Sequence, residues 1–580
     1  MKKRKQILSV LLAAAMVTTM LGGCGNAQGT SGKSSTASST SKSESTQNAV
    51  VESTVESNDD GTEDSVRISE ETIEITLAGP ASVTTNEWNE SVQFAEYEKR
   101  LGIKINATAY DSEAWSSKLT LMLASDELPD ILAGLTATTR EDVYKYGQEG
   151  YLLDLSQYLD VMPNLTRIME EYPEYARHIT MENGAIYGIS PFSVRIESWN
   201  LQDVYMSQTW LDNVGMDAPE TLDELYEVLK AFKEQDANGN GDTDDEIPML
   251  YSAYSCFPIL WAYGIYSTDG KLHEMVDEDG NYMVMNVTEN YRDYLRYIHK
   301  LYKEGLINED AFVISSDEKD QLINNGKTGY VGNVTSIFLG LDNEGDYSKQ
   351  KWFAVTGFTG TEYNSESVVV ERERVGANFR VLVSADTKYP EEIAKLIDYL
   401  FTVEGAISAS NGYEGLTFDF NDIEGYPVVD HTNYIGDYES SEAYRTRKAT
   451  SRGAFNFYSI NEGTIYDMLQ NIDTDKLMEG ECYKVAGANA TKQLAWRKAV
   501  QKGVQFKKPL PSLSYGDDGA ERATLYTDIV NYCATANVQF ITGERDLDKD
   551  WDTYLEELEK MGLQRYIEIQ QNAYDRLMGN

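Results

Sequence analysis

The sequence predicts an α/β protein of at least two lobes, and two observations carry that reading. Ile73, Ile75 and Leu77 alternate with polar residues up to Gly79-Pro80, Phe94, Tyr97 and Leu101 recur at helical spacing before Gly102, and Ile103-Lys104-Ile105 reads as a second strand. A strand, helix and strand within about thirty residues make a βαβ unit, whose right-handed crossover implies a parallel sheet covered by helices. Length is the second observation. Beyond the N-terminal segment about 500 residues remain, more than a single ordinary core holds.

The same grammar continues downstream. Thr221-Leu222-Asp223-Glu224 has capping-box spacing behind Pro219, and Leu222, Leu225, Tyr226, Leu229 and Phe232 form one apolar face. Another helix is predicted after Pro390, with Ile393, Leu396, Ile397 and Leu400 inward. A third carries Trp551, Tyr554, Leu555, Leu558 and Met561, and Gly562 stops it. There is no repeat of solenoid period and no long heptad run.

At the N-terminus, Met1-Lys2-Lys3-Arg4-Lys5 precedes an apolar run from Ile7 to Leu21 that is too short to span a bilayer comfortably, which reads as an export signal over residues 1–23. Leu21-Gly22-Gly23-Cys24 resembles the bacterial lipobox, and that resemblance implies a lipidated Cys24 holding the chain to the membrane. Residues 24–72 are mostly Ser, Thr, Gly, Asn and acidic side chains. Such a segment has too little apolar surface for a core and is expected to be a flexible tether.

The chain has 50 Lys and Arg against 95 Asp and Glu, a net charge of −45. Nucleic acid is therefore not an expected partner, because binding it needs a basic surface that displaces phosphate counterions. Apart from Cys24, the cysteines are Cys256, Cys482 and Cys533, which allow at most one disulfide and no disulfide scaffold. The histidines, His178, His273, His299 and His431, are scattered. No His-Glu-x-x-His, nucleophile elbow or phosphate loop is present, so an enzyme is not expected. A pair of carboxylates serving glycoside hydrolysis stays open among so many acids.

The most specific local chemistry is the run from Asp236 to Glu246. Asp236, Asn238, Asn240 and Asp242 place oxygen side chains at alternate positions, with Gly241 at the sharp turn, in the manner of an EF-hand loop. The expected guest is a structural Ca2+, with Glu246 or Asp245 closing the shell. Position twelve is Ile247 instead of glutamate, and Pro248 opposes a second helix, so the expected form is helix, loop and extended exit. Whether Asp244 or Asp245 would ligate is left open.

Several segments resemble the extracellular solute-binding lipoproteins of carbohydrate ABC importers, including the calcium-containing alginate-binding type. They are Leu119–Ser125 with Leu128-Pro129-Asp130-Ile131, Asn183–Ile189, Trp210–Leu225, the acidic loop with Asp245-Glu246-Ile247-Pro248, Leu400–Gly405, Gly412–Gly415 and Ile541–Trp551. The resemblance implies a two-lobed periplasmic-binding-protein-like fold with a hinge and an interlobe ligand cleft. It further implies an oligosaccharide ligand, permease subunits as partners, a monomer, and an extracytoplasmic position. Approximate lobes follow: 73–190 with 355–450, and 191–354 with 451–580. A sugar cleft needs flat aromatic platforms rimmed by hydrogen-bonding side chains. Trp88, Arg195, Trp199, Trp261, Tyr263, Asn378 and Arg380, all in predicted loops, are the candidate ligand contacts; Trp210 and Trp551 are assigned to packing.

Overall fold

The computed structural model describes residues 67–578 except 82–87, 126, 136–137, 196–200, 253–254, 268–269, 333–350, 373, 377, 439, 452–453, 461–463, 509, 512 and 514. The predicted signal, Cys24 and most of the tether lie outside the described residues. Residues 67–72, expected to belong to the tether, join the fold instead. Ile68 and Ser69 donate their N–H groups to Leu101 O at 3.0 and 3.1 Å, and Arg67 Nη1 donates to Lys99 O at 3.2 Å.

The first sheet has five strands in the order Ile103–Asp111, Ile73–Ala81, Ile131–Ala133, Val381–Val383 and Gly188–Ile189. The first three are parallel, with Ile73 opposite Ile103 and Leu77 opposite Ile131, as the βαβ reading requires. The last two run antiparallel to their neighbours, and Leu382 faces both Leu132 and Gly188. The opening strand does not stop at Gly79-Pro80 but continues to Ala81. Gly79 permits this, since a Cβ there would sit 1.9 Å from Ala133 O on the neighbouring strand. Proline is tolerated near a strand end because only one ladder donor is lost.

Between the first two strands, Ser91 Oγ caps the helix Val92–Glu96 by accepting from Phe94 N. The chain then widens into a π turn, Tyr97–Leu101, and Gly102 ends it at φ 74°. Phe94, Tyr97 and Leu101 all point into the core.

The second sheet orders Trp352–Ala354, Val204–Ser207, Thr328–Gly332 and Ile247–Met249. Against it packs the helix Leu222–Glu234, started by the predicted capping box between Thr221 and Glu224. Leu222, Leu225, Val228, Leu229 and Phe232 are buried, each fully buried side chain of this size being worth about 1.5–3 kcal/mol. The helices Pro390–Tyr399 and Trp551–Lys560 also form where the periodicity places them, and Gly562 takes φ 93° just past the latter.

Two large apolar cores result. One unites residues of 75–192 with 379–413 and 454–460; the other unites 201–370 with 529–566. The expected boundaries shift accordingly. Val355, Phe358 and Val368–Val370 were grouped with the first lobe but pack in the second core, because Val368–Val370 pairs with Gln505–Lys507. Phe455, Phe457 and Tyr458 belong to the first core. A smaller cluster joins Ile423, Val428, Met468, Leu469 and Cys482. Cys256, Cys482 and Cys533 are free and buried. No described helix is long and apolar enough to cross a membrane.

Candidate ligand-binding site between the lobes

Three chain segments connect the cores. The short strand Phe192–Ser193 pairs in parallel with Tyr458–Ser459, while Phe192 forms an antiparallel bridge with Val375 on its other side. Phe192 N donates to Phe457 O at 2.7 Å, Ser193 N to Arg374 O at 2.9 Å, and Gly376 N to Pro191 O at 2.7 Å. A side chain at Gly376 would press on the Pro191 ring, three atoms of which lie 3.0 Å from the Cβ position. These contacts make a narrow ribbon, the element through which two lobes can move about one another.

Charged side chains fasten the ribbon to the second lobe. Asp203 Oδ1 accepts from Lys492 Nζ at 2.8 Å and from Tyr205 Oη at 3.2 Å, while its Oδ2 pairs with Arg372 Nη2. The Lys492 side chain is only 1 % exposed. Burial works against the Asp203 carboxylate, but Arg372 and Lys492 outweigh it and hold its pKa down, to about 2. Burial lowers Lys492 to about 8 in spite of Asp203. Nearby, the Arg195 guanidinium lies over the Tyr466 ring, 4.3 Å from its centroid.

Beside the ribbon opens a cavity of about 800 Å³ lined from both lobes. Arg140, Arg177, Arg372, Arg374, Lys508 and Arg576 contribute positive charge, and Glu174, Glu182 and Asp518 negative charge. Arg140 is held by carbonyls, donating to His178 O and, at 2.6 Å, to Thr180 O. His178 stacks on Phe379, hydrogen-bonds Ser190 Oγ at 2.9 Å, and is lowered to about 4 by burial and by Arg140. Its imidazole is therefore neutral at pH 7.

Of the sequence-predicted ligand contacts, three pack in the cores instead of lining the cavity. Trp88 is 2 % exposed in the first core, where its ring packs over Gly79. Trp261, 1 % exposed, donates Nε1–H to Ser267 O at 3.2 Å. Tyr263 sits at the end of the same buried helix, Phe257–Ala262, edge-on to Tyr294. Arg195 lies on the ribbon, and Asn378 and Arg380 lie where its second segment re-enters the first sheet, Arg380 N donating to Ile189 O at 2.8 Å. Trp199 is outside the described residues. Arg140, Arg177, Arg374 and Arg576 on the cavity wall, and Asp203 and Lys492 in the ribbon lock, are not among the sequence-predicted residues. Lone charged residues scattered over more than 400 positions offer no local pattern.

The acidic loop follows Gln235 and leaves as the strand Ile247–Met249, the expected helix, loop and extended exit. Asp236 accepts through both oxygens from Asn240 N and Gly241 N, at 3.0 and 2.9 Å. Asp245 gathers the Asn238 and Asn240 amides and Lys327, whereas Asp244 stays exposed and donates its N–H to Asp242 Oδ1. Gly239 and Gly241 both take positive φ, 77° and 90°. Both Glu246 oxygens are buried without a hydrogen-bond partner of good geometry, and burial raises its carboxyl. No group of three or more His, Cys, Asp and Glu arranged for a metal occurs among the described residues. A cation here would therefore draw on Asn238 and Asn240 as well, an all-oxygen set that fits a hard ion.

Two α/β lobes joined by a ribbon, with a cavity between them, define a two-lobed solute-binding architecture. The chain belongs to the bacterial extracellular solute-binding proteins, whose family model matches residues 93–418. It is 24 % identical over 509 residues to the fructooligosaccharide ABC transporter substrate-binding protein FusA of Streptococcus pneumoniae serotype 4, covering 85 % of this chain and 88 % of that one. Lipoprotein LipO of Bacillus subtilis is 26 % identical over 521 residues, 85 % of this chain and 90 % of that one. Polygalacturonan/rhamnogalacturonan-binding protein YtcQ of Bacillus subtilis is 27 % identical over 325 residues, 52 % and 61 % respectively. The structure of a FusA EF-hand mutant in complex with fructo-nystose superposes with a TM-score of 0.68 at 22 % identity, covering 88 % of this chain and all of that one.

Proposed function

We propose that this protein captures an oligosaccharide outside the cytoplasm and delivers it intact to an ABC importer. The observation that carries the reading is the cavity between two separately packed lobes joined by the Phe192–Ser193 ribbon, in a chain of the solute-binding family. FusA is named for a fructooligosaccharide and YtcQ for binding polygalacturonan and rhamnogalacturonan, which supports a saccharide as the solute. Closure of the lobes on the sugar is the signal a permease would read. The protein acts as a monomer and carries out no hydrolysis.

Lipid attachment at Cys24 and export by residues 1–23 fit this role, and a relative named as a lipoprotein supports them. A Ca2+ ion would be held by Asp236, Asn238, Asn240, Asp242, Asp245 and Glu246, pinning the end of the helix Leu222–Glu234 to the second sheet. The Glu246 carboxylate, whose oxygens are buried without a hydrogen bond of good geometry, is the observation in its favour. Uptake of labelled oligosaccharides by cells with and without this chain tests the proposal. Loss of uptake, with extracellular hydrolysis unchanged, is expected; unchanged uptake of every sugar tried would overturn it.

A further inference from the structure

We propose that the interlobe cavity selects an acidic saccharide, one carrying carboxylates along its chain. The inference rests on the saccharide-capture reading above and names the class of sugar. Its starting point is a charge anomaly: in a chain of net charge −45, six basic side chains and only three acidic ones line this cavity. They come from three separate regions, Arg140 and Arg177 from the first lobe, Arg372 and Arg374 from the ribbon, and Lys508 and Arg576 from the second lobe.

Part of this charge is already compensated. Arg372 pairs with Asp203, Lys508 with Glu371 at 2.8 Å, and Arg140 approaches Glu182 at 3.7 Å. The acid Asp518 is in turn engaged by Arg565 at 3.3 Å. Arg177 is different. It is exposed on the cavity wall and has no side-chain hydrogen bond or ion pair among the described residues. Arg374 contributes a second fork, and its Nη1 reaches the Ser193 and Arg195 carbonyls at 3.5 and 3.4 Å. Guanidinium groups match carboxylates in a planar, two-bond geometry that neutral hydroxyls do not reproduce.

Size and layout argue for a saccharide over a small anion. The volume lies within the range of organic-ligand sites, far beyond a single phosphate. Cations distributed over both lobes and the ribbon suit charges spaced along an extended ligand. Binding such a ligand would also draw the lobes together, because each wall supplies part of the attraction.

The test is calorimetric titration of the full-length chain with trigalacturonate, its methyl ester, a panel of neutral oligosaccharides, and inorganic phosphate. Trigalacturonate is expected to bind, with the ester weaker by about tenfold or more and the affinity falling as salt rises. Arg177→Glu should weaken trigalacturonate by a similar factor while leaving the melting temperature unchanged, since the side chain is exposed and unpaired. Arg177→Lys should recover part of the loss. Equal binding of acid and ester, binding of neutral sugars alone, or insensitivity to Arg177→Glu would overturn the inference and leave oligosaccharide capture standing. Phosphate competing as well as the trisaccharide would reduce the cavity to a simple anion site and overturn it too. Binding of no saccharide at all would sink both readings.

Discussion

Lys492 and Asp203 stand 289 positions apart in sequence and meet at 2.8 Å, with Arg372 completing the cluster on the other carboxylate oxygen. One anion thus holds two cations, one from each of two distant segments, at the root of the interlobe ribbon. Removing the anion leaves like charges facing each other in a buried place, whereas removing one cation still leaves a pair.

Asp203→Asn is therefore expected to cost roughly 3–5 kcal/mol of stability, measured by denaturant unfolding. The pH dependence has a definite sign. Asp203 has a folded-state pKa of about 2 against an ordinary 3.8. Its contribution is present in full above the ordinary value and is lost as pH falls through about 2. The gap between the wild type and Asp203→Asn should narrow between about pH 4 and pH 2; a gap constant over that range would contradict this role.

Calcium should raise the melting temperature, and a chelator should lower it. Glu246→Gln keeps the shape of the side chain and removes the charge, so it should remove most of the calcium response while costing the apo protein little, because the native carboxylate is buried without a hydrogen bond of good geometry. For the wild type, calcium at a hundredfold excess over its dissociation constant would add about 2.7 kcal/mol. No calcium response in chelator-stripped protein would remove the ion from the account.

Trp88→Ala and Trp261→Ala should each cost about 3–5 kcal/mol, because both indoles are buried in cores. An effect on sugar affinity without loss of stability would return them to the ligand site.

Cys256, Cys482 and Cys533 should resist thiol reagents in the native state and react once the chain unfolds, as peptide mapping by mass spectrometry can show. Burial pushes their pKa values up, to about 12, 11 and 11. Rapid native-state labelling would mean that these side chains are open to solvent.

Local signals made much of the fold legible. Alternation gave the strand at Ile73, the capping box at Thr221 gave the start of its helix, and a glycine marked the end at Gly562, since each depends on neighbours within a turn or two. The acidic loop was equally readable, and the folded chain brings Asp245, not Asp244, to Asn238 and Asn240. Long-range features were not readable. Trp88 reads as a loop aromatic because no local pattern shows that its ring packs against Gly79. Nor could spacing reveal that Val368–Val370 pairs with Gln505–Lys507, or that Arg177 and Arg576 share one cavity.

Capture of an intact sugar is tested by titrating the full-length chain against a panel of neutral and acidic oligosaccharides, with the sugar recovered and sized by chromatography afterwards. Saturable binding of one sugar class at a single site, with full recovery of uncut ligand, is the expected result. Shortened products, or no binding across the panel by calcium-loaded protein, would contradict it.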